Sequence, residues 1–84
     1  MSEEEMTDEF VVGVRQTVRM MEQGRLSAIM IADDADAFVT KSVEQAALKS
    51  GVEVIRVPSK RQLGMRCGID IGAAVAGFVI SGRA

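Results

Sequence analysis

Ala28-Ile29-Met30-Ile31-Ala32-Asp33-Asp34-Ala35-Asp36 is the stretch on which the fold turns. Its five apolar residues have the length of a strand, and an unbroken apolar run suits a strand covered on both faces, because alternation is expected where one face meets water. Asp33 and Asp34 end the run. Asp36 can then cap a helix, its carboxylate accepting from backbone N–H groups of the first turn. Beyond it, Val39, Val43, Ala46, Ala47 and Ser50 recur on one side of that helix, and Gly51 stops it where a left-handed residue is needed.

The same alternation continues outward in both directions. Residues 52–57 read as a third strand, ended by Pro58, which cannot donate to a ladder inside a strand. Ser59 with Gln62 makes a capping box for a short helix through Cys67, terminated by Gly68. The loop Ile69-Asp70-Ile71-Gly72 leads into residues 73–80, a last buried strand whose small residues allow a helix to pack closely. Towards the N-terminus, Phe10-Val11-Val12 is β-like, and Val14, Val18 and Met21 follow Gly13 at helical spacing until Gly24. Strands alternating with helices imply an α/β/α sandwich, although the pattern alone leaves strand order and direction open.

A chain of 84 residues has room for one small core, so the expectation is a single domain over residues 1–84. The lone cysteine, Cys67, and the absence of histidine exclude a disulfide framework and a Cys/His zinc site within one chain. The acidic N-terminus is unlike a basic targeting segment, and the longest apolar stretch, residues 71–80, is about half a membrane span. The expectation is a cytoplasmic protein with no membrane partner. The formal charge of −2 is unevenly placed, since Glu3, Glu4, Glu5, Asp8 and Glu9 lie within the first nine residues. From Phe10 onward ten Lys/Arg face seven Asp/Glu, a balance of +3, with the acids forming an N-terminal arm or helix over residues 1–9.

Each candidate for chemistry meets a plainer explanation. Cys67 shares a helical stripe with Leu63 and has no histidine to activate it, so it behaves as a small core hydrophobe. Asp33, Asp34 and Asp36 declare no complete metal site and are accounted for by strand termination and capping. The spacing Gly68-x-x-x-Gly72-x-x-x-x-Gly77 precedes a strand, where a dinucleotide fingerprint opens a helix. Met20, Met21, Met30 and Met65 fall in elements that need core. No cofactor, no metal and no enzymatic activity are expected. The remaining feature is the helix start Gly13-Val14-Arg15-Gln16-Thr17-Val18-Arg19, where Arg15 and Arg19 share an outer face and Gln16 lies on the same turn. A helix N-terminus carries unpaired N–H groups and a partial positive charge, while arginine and glutamine can hydrogen-bond purine edges.

Gly13-x-x-Gln16-x-x-Arg19, then Ile29-Met30-Ile31-Ala32-Asp33-Asp34-Ala35-Asp36, then Val57-Pro58-Ser59-Lys60-x-x-Leu63-Gly64-x-x-Cys67-Gly68 appear in order over residues 10–80. In these pieces the chain resembles the kink-turn RNA-binding ribosomal protein family, the archaeal large-subunit protein L-seven-Ae type, and looks most like its short bacterial members. The resemblance implies a three-layer α/β/α sandwich with a mixed sheet of about four strands. It also implies a non-enzymatic protein that binds bent RNA helices containing tandem sheared G·A pairs beside a short bulge.

By the same resemblance Gly13 and Val14 open the RNA-facing helix, and Arg15 and Gln16 occupy an Asn-Glu pair that reads two guanines. Arg19 and Lys60 occupy basic contacts. Asp36 lies near the pocket for the protruding bulge nucleotide, and Ile69, Asp70, Ile71, Gly72 and Ala73 form the loop that covers it. Arg15 and Gln16 depart from that pair, and Ala37 stands where proline is usual. The implied partners are kink-turn RNA, in ribosomal RNA or riboswitch-like leaders, and the ribosome, with the protein a monomer. The alternative from another class is a protein-interaction adaptor on the same scaffold, docking an acidic partner through Arg15 and Arg19.

Overall fold

The computed structural model describes residues 10–80, in the order β1 (Phe10–Val12), α1 (Val14–Glu22), β2 (Leu26–Ala32), α2 (Ala37–Ser50), β3 (Glu53–Val57), α3 (Lys60–Arg66) and β4 (Val75–Val79). The acidic arm expected over residues 1–9 lies outside them. The four strands form one mixed sheet in the order β1-β4-β2-β3. β2 and β3 are parallel, with Ile29 opposite Val54 and Ile31 opposite Arg56, while β4 runs antiparallel to both β1 and β2. The C-terminal ends of β1, β2 and β3 therefore share one end of the sheet with the start of β4.

Helices cover both faces, giving the three-layer α/β/α sandwich. On one face α1 and α2 enclose Val11, Ile29, Ile31 and Val75 with Met20, Met21, Val43 and Ala47. On the other, α3 supplies Leu63, with Cys67 just beyond its end, against Met30, Ala32, Val57, Ala73 and Ala76. Successive residues of β2 thus belong to different cores, which explains the unbroken apolar run over residues 28–32. The small residues of β4 admit close packing. A side chain at Gly77 would meet a Leu26 methyl carbon at 2.6 Å and the Thr17 methyl at 3.3 Å.

The expected helix ends are present: Asp36 caps α2 and Gly51 closes it in the left-handed region, φ 70°. Other details differ. The fully buried stripe of α1 includes Thr17 and Met20 beside Met21, whereas Val14 and Val18 are half-buried at its border. Thr17 enters the core because it stands where α1 crosses β4 and contributes a methyl group there. Met65 is 65% exposed and is no core residue, since Leu63 and Cys67 already turn the inner face of α3 to the sheet. Ser50 is exposed at the last turn of α2, past the point where the helix meets the core. α3 ends at Arg66 with Cys67 as its C-cap, β3 begins at Glu53, and β4 spans only Val75–Val79. Among the described residues no helix is long and apolar enough to cross a membrane.

Candidate nucleic-acid interface

Three helices begin at the same end of the sheet, because α1, α2 and α3 follow the C-terminal ends of β1, β2 and β3 respectively. The fourth connection, residues 69–73, enters β4 at that end. The residues that the resemblance implies for RNA contact thus lie in or beside elements that start or end there, with Arg19 furthest along α1. Three helix N-termini give this end a favourable field for anions.

The start of α1 is open. Gly13 takes φ 111°, and the helix has no side-chain cap bond. The Gly13 N–H donates to the Val75 carbonyl at 3.0 Å, which fixes the start of α1 to β4. Arg15, Gln16 and Arg19 are exposed, while Val14 is half-buried and holds the turn against the core. Among the described residues the ion pairs are those of Arg56, and Arg15, Arg19 and Lys60 have no side-chain partner. Their charges are available to phosphate.

Asp33, Asp34 and Asp36 take three different structural roles. Asp36 accepts from the Phe38 N–H at 2.8 Å, which caps α2. Asp33 pairs with Arg56 at 2.9 Å, and Glu44 holds the other side of the same guanidinium. The hydrogen bond that Arg56 donates to Asp33 leads in pushing the Arg56 pKa above its ordinary value. Asp34 reaches furthest along the chain, accepting the Lys60 N–H at 2.8 Å at the start of α3. Ser59 accepts from the Gln62 N–H at 3.1 Å, so α3 begins on two side-chain acceptors.

The 69–73 loop is fastened to that same helix start. Ala73 N–H donates to the Lys60 carbonyl at 3.1 Å, and Ile69 N–H to the Gly64 carbonyl at 3.0 Å. Gly64 is required by space, since a Cβ there would lie 2.1 Å from the Ile71 carbonyl oxygen. Held this way, the loop leaves the Ile71 side chain 72% exposed, with Asp70 and Gly72 also at the surface, while Ala73 is buried beneath. An exposed apolar side chain on an anchored backbone can cover a base. Cys67 packs in the core under α3, and its burial pushes the thiol pKa up.

The pairing of an open, arginine-bearing helix start with an anchored apolar loop stands in a known sequence context. The sequence model of the ribosomal protein L7Ae/L30e/S12e/Gadd45 family matches residues 2–84. The chain belongs to this family. An RNA-binding protein of Caldanaerobacter subterraneus subsp. tengcongensis is 36% identical over 73 residues, covering 87% of this chain and 89% of the relative. The large ribosomal subunit protein eL8 of Halobacterium salinarum is 27% identical over 73 residues, 86% of this chain and 61% of that protein. In fold, the chain is similar to the Giardia lamblia 15.5kD RNA binding protein, with a TM-score of 0.80 at 23% identity over 86% of this chain and 61% of that one.

Within the L7Ae/L30e/S12e/Gadd45 frame, Asp34 and Gly64 belong to the quoted motifs, yet their positioning roles at this end of the sheet were not read from the sequence. Asp34 looked like a strand breaker, and its partner lies 26 residues away. Gly64 had a weak signal, an isolated glycine within a short helix, which often marks a close approach. Phe38, which the sequence did not single out, is 81% exposed on the first turn of α2.

Proposed function

We propose that the chain is a single RNA-binding domain that recognises kink-turns and stabilises the bent RNA. The observation that carries this reading is the convergence at one end of the sheet of the open α1 start, Asp36, Lys60 and the anchored 69–73 loop. Ordinary A-form RNA keeps its major groove too narrow for side chains, and a kink opens it to a helix. In this reading Gly13 and Val14 bring the α1 backbone close, and Arg15 and Gln16 hydrogen-bond the guanine edges of the sheared pairs. Arg19 and Lys60 contact phosphate. Ile69, Asp70, Ile71, Gly72 and Ala73 cover the protruding bulge nucleotide, with Asp36 beside it. Binding selects the bent member of the RNA ensemble because only that form offers the complementary groove.

Family membership and the relatives that bear the name RNA-binding protein support this reading. Its test is titration with a kink-turn RNA and with a twin whose G·A pairs are converted to Watson–Crick pairs, at fixed Mg²⁺ and salt. The kinked RNA should bind more tightly, and Arg15→Ala and Gln16→Ala should each narrow the difference by roughly tenfold, one bidentate contact being worth about 1–3 kcal/mol. Equal weak binding to both RNAs would refute kink-turn recognition and direct the search to acidic protein partners of the Arg15 and Arg19 face.

A further inference from the structure

The chain has three aromatic residues, all phenylalanine, and they are used in two different ways. Phe10 and Phe78 pack against each other across β1 and β4, with ring centroids 5.2 Å apart. Phe38 is instead 81% exposed on the first turn of α2, at the end of the sheet that carries the interface. Its backbone is fixed, because its N–H donates to the Asp36 carboxylate.

Helical phase gives the side on which the ring lies. Val43 and Ala47 are fully buried against the sheet, and Glu44 is turned to the edge strand β3, where it meets Arg56. At about 100° per residue, Phe38 falls on the outer surface of α2 on the side away from Glu44, which is the side of α1. α1 packs beside α2 and starts at the same end of the sheet. The half-buried positions Val14 and Val18 leave Arg15 on the outer surface of α1. An exposed aromatic face and an arginine without an acidic partner among the described residues therefore flank the starts of two adjacent helices.

This combination suits a single-stranded nucleotide. An aromatic face accepts any base by stacking, while arginine and the helix starts attract its phosphate. Leu48 is as exposed as Phe38 but lies in the last turns of α2, away from the interface, and has no π-face. We propose that Phe38 is a stacking platform for an unpaired nucleobase of the bound RNA, contacted beside the groove that α1 enters and separately from the 69–73 loop. The inference rests on the RNA-binding reading above.

F38W tests it directly, because the chain contains no tryptophan and the substitution introduces one fluorophore at the site. Binding is followed independently by the anisotropy of a dye-labelled kink-turn RNA. Stacking predicts that tryptophan emission is quenched in step with the anisotropy change. It also predicts that F38A weakens binding by roughly tenfold, within the range for loss of one base–aromatic stack, with an unchanged salt slope because no phosphate contact is lost. F38L keeps apolar bulk without a ring and should bind nearly as weakly as F38A. RNA binding without quenching in F38W, or F38A equal to the wild type, would overturn the stacking platform while leaving the RNA reading intact. Failure of the wild type to bind the RNA would remove both.

Discussion

The start of α1 meets solvent with no side-chain cap, whereas the start of α3, at the same end of the sheet, rests on Ser59 and on the carboxylate of Asp34. Around α1 the long side chains Arg15, Gln16 and Arg19 have no partner among the described residues, and the backbone beneath them is tied to β4 through Gly13. Around α3 backbone groups are held by the Asp34 carboxylate and by one another, and these contacts link the β2–α2 connection, Lys60 and the 69–73 loop into one unit. The difference teaches that one end of a sheet can hold two kinds of surface. One offers donors to a ligand, and the other holds a shape. Substitutions in the first should alter binding with little effect on stability, and substitutions in the second should alter both.

The hardest blow to the second surface is Gly64→Ala. A methyl group gains at most about 1 kcal/mol of helix propensity over glycine. Against that stands an approach of 2.1 Å to the Ile71 carbonyl oxygen, a backbone atom that cannot turn aside. Relieving such overpacking costs about 1–3 kcal/mol, occasionally more, so the overlap decides the sign. The expected result is a lower melting temperature together with faster amide exchange at Ile69 and Ala73, the two loop donors to α3. RNA binding should weaken even at temperatures where the variant is fully folded. A variant as stable as the wild type, with both amides protected, would show that the loop accommodates the methyl group and that the anchored-shape account is wrong.

Asp34 permits a finer cut, because its oxygen and its charge can be removed separately. Asp34→Ala deletes the acceptor of the Lys60 N–H and should cost about 1 kcal/mol, the usual loss for an N-terminal cap. Asp34→Asn keeps an acceptor oxygen and removes a negative charge from the end of the sheet assigned to RNA. It should retain most of the stability and bind RNA as tightly as the wild type or more tightly, whereas Asp34→Ala loosens the loop. Thermal melts and RNA titrations of the two variants side by side check this. Identical behaviour of the pair in both measurements would mean that the 2.8 Å contact does not couple the β2–α2 connection to α3.

The contrast between the two surfaces also explains what the sequence could reveal. β2 and α2 were legible because their signals are local: an apolar run, a capping aspartate, a helical stripe and a glycine stop lie within 24 consecutive residues. The free side chains of α1 were legible for the same reason, since Val14 and Val18 set the phase that turns Arg15 and Arg19 outward. The anchored corner was not. Asp34 finds Lys60 across 26 residues, and the space at Gly64 is defined by the path of the following loop, so neither contact leaves a periodic trace. Thr17 was hidden by its residue type, because a hydroxyl suggests surface while its methyl group fills the gap above Gly77. Met65 was misplaced by the opposite assumption, that an apolar residue on a short helix must face the core.

The smallest expected effect belongs to Arg56→Ala, and it tests whether charge availability, more than position alone, distinguishes the α1 start. Arg56 lies one residue before the end of β3, close to the end of the sheet proposed to meet RNA, yet its guanidinium is engaged by Asp33 and Glu44. These groups are 41–51% exposed, so solvent screens them and the pairs should add no more than about 1 kcal/mol to stability. Removing the arginine changes the cluster from a net −1 to −2, which repels RNA slightly. A weakening within about twofold should follow, with the salt slope nearly unchanged because no phosphate contact is lost. Arg19→Ala, whose charge has no partner among the described residues, should instead lower the slope by about 0.7–0.9 for the phosphate contact it removes. Equal salt slopes for the two variants would mean that Arg56 exchanges its carboxylates for phosphate on binding, and the free surface would then extend from α1 to the edge of the sheet.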